Sequence, residues 1–410
     1  MAKSLKDRLA ILSDAAKYDA SCASSGTSKR NSLKSGGLGS TEGSGICHAY
    51  APDGRCISLL KILMTNFCIY DCAYCINRSS SNVARARFTP DEVVWLTLEF
   101  YRRNYIEGLF LSSGIIQNSD YTMEHMVRIA KDLRIKHGFQ GYIHLKTIPE
   151  ASAHLIEEAG LFADRLSINI ELPTDAGIEK FAPQKHPANI RRSMHDLRNK
   201  IDEAHEPTLR TRRRKRFVPA GQSTQMIIGA DMASDATILN TSAGLYNGYS
   251  LRRVYYSAFS PIPDASQALP LIKPPLLREH RLYQADWLYR FYGFGIEEIT
   301  ASQPDGMLEL DIDPKLSWAL ANRDKFPVDI NQADKALLLR VPGLGVKTVL
   351  SILKARKYKR LGLEDLSRLR VSVKKVKAFI TASGWTPTKL IDRADLRDMF
   401  TPAPEQLSLL

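Results

Sequence analysis

The sequence predicts an α/β protein, a parallel sheet with crossover helices, followed by an all-helical C-terminal domain. Three observations carry this. Apolar, strand-like runs alternate with helical stretches from Cys56 to about Thr300, and six strands can be counted. Each strand is followed by a helix, which is the pattern of crossover connections; it leaves a full barrel, a partial barrel or a doubly wound sheet open. After residue 300 the strand patterns stop, helical ones dominate and basic residues thicken.

In chain order, 4–18 reads as a short helix with Leu5, Leu9 and Leu12 on one face, and 21–45 is rich in Ser and Gly. The first strand is 57–64. A helix over 90–104 follows, with Thr89 as its cap and Pro90 in its first turn. Strand 108–114, helix 123–136, strand 141–147, helix 152–160 and strand 164–171 come next. A polar, basic connection runs over 183–219, then strand 224–229, a helix over 234–246, strand 254–259, a loop over 261–275 and a helix over 277–292. The domains expected are 1–45, an N-terminal helix and Ser/Gly-rich segment; 46–300, the α/β domain; 301–326, a linker helix region; 327–385, a helical domain; and 386–410, a loose tail.

The 410 residues are enough for two or three domains, and the 44% hydrophobic and 25% charged content is that of a soluble globular protein. No apolar run reaches the roughly 20 residues of a membrane span. The stretch Met1 to Arg8 lacks the apolar core of a signal peptide, so a cytoplasmic protein without a membrane partner is expected. A formal charge of +13 favours a polyanionic partner, most simply nucleic acid. The densest positive run is 210–216, between the fourth and fifth strands; it is read either as a phosphate track or as a solvated loop.

All six cysteines lie in the first fifth of the chain. Cys68, Cys72 and Cys75 follow directly on the first strand. Three thiolates this close can ligate three irons of one cubane cluster and leave the fourth iron open. A structural zinc site, with His48, Cys47 or Cys56 as fourth ligand, is the alternative. The uneven spacing, the strand before it and the strand–helix alternation after it argue against zinc. Cys22, Cys47 and Cys56 fit an auxiliary cluster, redox roles or small buried apolar residues.

Near the other end, Val341-Pro342-Gly343-Leu344-Gly345-Val346-Lys347 joins a helix over 333–340, with Asn331 as its cap, to another over 346–356. Gly343 and Gly345 would let the backbone approach a phosphate, N–H groups at the second helix's start would point at it, and Lys347 adds charge. Lys354, Arg356, Lys357, Lys359 and Arg360 extend the basic surface. A second hairpin without glycines is expected around 366–382.

The cysteine triplet in the loop after the first strand resembles the signature of the radical S-adenosylmethionine (SAM) superfamily. That resemblance implies a partial (β/α)6 barrel, a [4Fe-4S] cluster on Cys68, Cys72 and Cys75, and SAM bound at the open iron. It implies that Tyr74 packs near the adenine and that Ser112, Ser113 and Gly114 meet the methionyl group, although the superfamily's usual acidic residue is missing there. Ser167, Asn169 and Glu171 alternate along the fourth strand and so share one face, suited to ribose or carboxylate contacts. His144, Lys146 and Gly229 are further candidates around cofactor or substrate. The glycine turn resembles the helix-hairpin-helix motif, so Gly343, Gly345 and Lys347 are the expected DNA-binding residues. Taken together, the stretch from Gly45-Ile46-Cys47-His48 to Arg78 and that from Val328 to Lys347 resemble a bacterial family of radical SAM proteins assigned to DNA modification or repair. That family is often linked genomically to a uracil-DNA-glycosylase-like protein. The resemblance implies reductive SAM cleavage, a one-electron donor such as flavodoxin or ferredoxin, and DNA as substrate. Radical modification of RNA and a non-catalytic cluster protein that binds nucleic acid are the alternatives.

Overall fold

A computed structural model describes residues 3–16, 46–50, 56–206, 217–263, 266–303 and 305–401. Cys22 and the run 210–216 lie outside the described residues, as do the side chains of His48 and Cys56.

After α1 (Leu5–Ala16), seven strands form one sheet in sequential order: β1 (Ile46–Tyr50), β2 (Cys56–Leu63), β3 (Gly108–Ser112), β4 (Tyr142–Lys146), β5 (Arg165–Ser167), β6 (Gln222–Ile228) and β7 (Arg253–Ala258). The pairs from β2 to β7 are parallel, and the sheet curls into a half-barrel. The six expected strands are therefore there. The seventh, β1, lies antiparallel on β2, with Ile46 opposite Leu60 and Tyr50 opposite Cys56. Of the readings open for Cys47, its place on this strand is that of a small buried apolar residue, packed against Ile57, Leu59 and Phe110.

The crossovers are α2 (Pro90–Arg102), α3 (Ser119–Ile135), α4 (Ala153–Phe162), α5 (Asp175–Phe181), α6 (Pro187–His205) and α7 (Asp235–Tyr249). Thr89 caps α2 in a complete capping box: its hydroxyl accepts from the Glu92 amide, and Glu92 accepts from the Thr89 amide at 2.9 Å. The same Glu92 carboxylate pairs with Arg8, which fastens α1 beside α2. The long helix α6 occupies much of what reads in sequence as a basic connection. Its buried face is only Ile190, Met194 and Leu197, too sparse a stripe to stand out among the charges.

Packing divides the chain into two compact units, 1–233 with 244–274, and 234–243 with 275–410. The sequence boundary lies at 300/301, whereas the packing groups 275–300 with the second unit. That unit contains α8 (Leu276–Tyr292), α9 (Ile296–Thr300), α10 (Pro314–Ala321), α11 (Lys335–Arg340), α12 (Val346–Ala355), α13 (Leu363–Arg368) and α14 (Val373–Val376). It is not wholly helical: Val328–Asp329 pairs in parallel with Ile380–Thr381. A chain of aromatic contacts, Phe294 to Trp318 to Phe326 to Phe379 to Phe400, runs through its core. Residues expected in a loose tail take part in it: Leu396 is fully buried, and Arg397 pairs with Asp311 and Glu309. Asp334, not Asn331, caps α11, accepting from Leu337 N. Asn331 instead bonds both backbone groups of Leu361. Among the described residues, no helix is long and apolar enough to cross a membrane.

At the foot of the half-barrel one ion pair gathers three elements. Arg134 of α3 donates to Asp164 at 2.7 Å and to the carbonyls of Phe139, Gly141 and Phe162; Asp164 also accepts from Ile143 N of β4. Both side chains are about nine-tenths buried. Asp164→Ala would leave a buried guanidinium without its counter-charge, so a loss of about 3–5 kcal/mol is expected in urea unfolding followed by circular dichroism.

Candidate functional site

The upper, C-terminal end of the sheet opens into a cavity on which Cys68, Cys72 and Cys75 converge, with Ser112, Ser113 and Gly114 from the end of β3. Asn169, Glu171 and Lys185 line the opposite side.

The cysteines sit on a loop with almost no regular structure, held by backbone bonding. Ile69 N donates to Ile115 O at 2.8 Å, Ala73 N to Phe181 O at 2.7 Å, and Ser79 N to Tyr70 O at 2.9 Å. Asp71 closes the loop by accepting from the Ser80 amide and the hydroxyls of Ser79 and Ser80. Cys75 N donates to Cys72 O at 2.9 Å, a tight turn that places Tyr74 between two thiols. Two sulfurs already accept weak amide bonds: Cys68 from Ile115 N at 3.5 Å and Cys75 from Asn77 N at 3.4 Å.

Burial pushes the Cys72 thiol up, and burial together with the neighbouring Cys72 pushes the Cys75 thiol up to about 12. Both are protonated without metal, and binding iron must displace those protons. Among the described residues, no three His, Cys, Asp or Glu converge closely enough to share one ion. The loop's chemistry therefore fits a cubane with one thiolate on each of three irons.

Opposite the thiols, Lys185 Nζ donates to Glu171 Oε1 at 2.7 Å and to the Tyr74 hydroxyl at 3.4 Å. The ion pair is more than nine-tenths buried. Burial opposes charge on Lys185, but Glu171 outweighs it and holds the ammonium well above the ordinary lysine range. The Asn169 side-chain nitrogen is buried without a partner. A buried donor aimed at a cavity wants an acceptor, and a carboxylate or ribose oxygen would satisfy it.

Not every residue read from the sequence faces the cavity. The strand expected over 164–171 shortens to β5. Beyond it Glu171 turns into a left-handed conformation, φ 68°, yet its amide still bonds Gln225 O at 3.1 Å. Ser167 lies deeper, its hydroxyl bonded to His144 Nε2 at 2.6 Å and to Ser223 at 2.7 Å. Burial, then Arg165, Lys146 and Lys61, drive His144 well below the usual histidine range, so it is a neutral member of a buried chain. Lys146 lines the cavity; Cys47 does not. Gly229 has φ 77° at the end of β6. Sequence reasoning missed Lys185 and Gln225. Lys185 follows α5 inside the polar connection, where nothing in the local pattern separates it from surface lysines.

Gly114 has a role that sequence alone does not reveal. A Cβ there would lie 2.1 Å from the Phe67 carbonyl oxygen. The end of β3 thus crosses directly under the residue before Cys68, and only glycine permits it.

Residues 62–209 match the model of the Radical SAM superfamily. Similar solved structures include HydG, a maturase of the [FeFe]-hydrogenase, with 14% identity, a TM-score of 0.40, and coverage of 55% of this chain and 48% of that one. HydG from Carboxydothermus hydrogenoformans gives 12%, 0.40, 54% and 48%. This chain thus spans about half the length of those proteins. No curated protein matches. Residues 62–209 thus carry a domain of the Radical SAM superfamily, whose members use a [4Fe-4S] cluster and SAM.

Gly114→Ala is expected to abolish cluster loading, although it removes no ligand. Iron and sulfide content after anaerobic reconstitution checks this; a fully loaded variant would show that the crossing relaxes freely.

Proposed function

We propose that this enzyme directs radical chemistry at nucleic acid, with DNA as the substrate for modification or repair. The observation that carries the reading is the turn between α11 and α12. Gly343 adopts φ 85°, and Lys347 is exposed in the first turn of α12. A phosphate at the start of α12 would meet free N–H groups and a lysine. Residues 327–385 hold thirteen Lys and Arg against four Asp and Glu, which supports a helix-hairpin-helix DNA contact. Not all of that charge is available. Arg356 donates to the Ile330 and Ala333 carbonyls, and Lys359 pairs with Asp365. Lys354, Lys357 and Arg360 are exposed and make no ion pair among the described residues.

When bound, the cluster and SAM supply one-electron cleavage of the sulfonium and, from it, hydrogen-atom abstraction. The chain's own residues do the rest. Cys68, Cys72 and Cys75 would hold the cluster. Asn169 would donate to a SAM oxygen, while the Lys185–Glu171 pair fixes Tyr74 between two of the thiols. The electron would come from a flavodoxin- or ferredoxin-type donor.

Anaerobically reconstituted enzyme with duplex and single-stranded DNA should yield 5′-deoxyadenosine and an altered nucleoside by mass spectrometry. Alanine at any of the three cysteines should abolish both. Larger yields on RNA than on DNA would overturn the choice of substrate. In fluorescence anisotropy across a salt series, Lys347→Ala should weaken binding on unrelated duplexes alike and lower the salt slope by about one.

A further inference from the structure

We propose that the groove between α8 and the Gly343–Gly345 turn takes one unpaired nucleotide of a nucleic-acid strand, its base against the aromatic face of α8 and its phosphate at Lys315. This deepens the nucleic-acid reading above and rests on it.

The groove lies wholly within the second unit. Tyr283, Trp287 and Tyr292 of α8 form one wall, and Lys315 of α10 and the glycine turn form the other. Trp287 is 51% exposed, and its ring lies 5.0 Å from that of Phe291, itself 46% exposed. Trp287, half open to water on the groove wall, presents a ring face for stacking, with Phe291 tilted against it. Every base has a π-face to offer it, whatever the sequence. A base stacked inside a duplex has both faces covered, so only an unpaired, unstacked one can lie on Trp287.

Lys315 supplies the second half of the site. It is 7% exposed, its ammonium donates to the Leu344 carbonyl at 2.6 Å, and it lies 4.8 Å from the centre of the Tyr292 ring. No carboxylate reaches it within ion-pair distance among the described residues. Asp313, the nearest in sequence, is engaged as the cap of α10. Burial pushes the amine down to about 7, with Asp313 drawing it back up and Arg340 pushing it further down. An amine buried on a groove, with one carbonyl and a ring face for company, would gain its proton and a partner together from an anion placed beside it.

Gly345 completes the argument. Its φ is −94°, open to any residue, and a Cβ there would meet only the Tyr292 hydroxyl at 3.5 Å, an ordinary contact. The protein's own packing does not require glycine at this position. Its absent side chain keeps the groove floor bare beside Lys315.

The test uses full-length protein and two DNAs, a duplex with one bulged 2-aminopurine and its fully paired counterpart. Wild-type protein should bind the bulged DNA about tenfold more tightly, the scale of one base–aromatic stack, and quench the probe. Trp287→Ala should bring the affinity ratio close to one, and Trp287→Phe should keep most of it. Lys315→Met should lower affinity for the bulged DNA and its salt slope by about one. Should that buried substitution fail to fold, the two Trp287 variants still decide. A wild-type ratio near one, or a ratio unchanged in Trp287→Ala, overturns this site while leaving duplex binding intact. Failure of wild-type protein to bind either DNA overturns the nucleic-acid reading itself.

Discussion

Three thiols must be held at fixed separations by a stretch of chain that has neither helix nor strand to stiffen it. The guanidinium of Arg85 meets this constraint, and the rest of the site depends on it. One terminal nitrogen of that group donates to the carbonyls of Asn66 and Asn77, the other to those of Arg78 and Ser81. Hydrogen bonds from a charged donor are worth about 1.5–3 kcal/mol each, well above neutral ones. Four on one planar group gather both flanks of the triplet about a single point. Asn66 adds a strand-like pair with Ala84 and Ala86, and a bridge between Thr65 and Arg87 extends it. The cluster loop is thus a closed ring whose ends are sewn together, set on the end of β2.

The sheet beneath is unusually polar for an interior. Arg165 is buried with its guanidinium on the Tyr255 hydroxyl and the Ala220 carbonyl, and the His144–Ser167–Ser223 chain lies above it. His144, Ser167 and Ser223 stand on neighbouring strands, so their bonds lock the stagger of β4, β5 and β6, while Arg165 reaches past β6 to Tyr255 of β7. A floor made this way cannot slide without breaking several bonds together, which gives the cavity above it a rigid base.

Features that the sequence displays plainly are those encoded within one or two turns of chain. The thiol spacing, the Thr89 capping box and the apolar runs of β2 to β7 are of this kind. Contacts made across long separations stay hidden. Lys185 acquires meaning only when α5 brings it back to Glu171 and Tyr74. The glycine at 114 looks like part of a ligand-binding motif until the Phe67 carbonyl is seen beneath it. Asn331 has the chemistry of a helix cap, and Leu361, thirty residues on, claims it instead. The helix α6 is concealed because its core-facing stripe is three residues wide in a sea of charge. Lys315 sits in an unremarkable helix start, and only packing reveals that it has been taken out of water.

The two helical pairs of the second unit share a turn geometry with unequal freedom. Gly343 turns the first pair at φ 85°, and Arg370 turns the second at φ 61°. A side chain at 343 would press on Lys375 and Val376, at 3.1 Å from each, while Arg370 points into solvent. Of the two turns, only the first is pressed by the other pair. Both turns hold a positive φ that disfavours most side chains, and the first is confined by its neighbours as well. A change of side chain at the first turn therefore meets a neighbouring helix, and one at the second meets water.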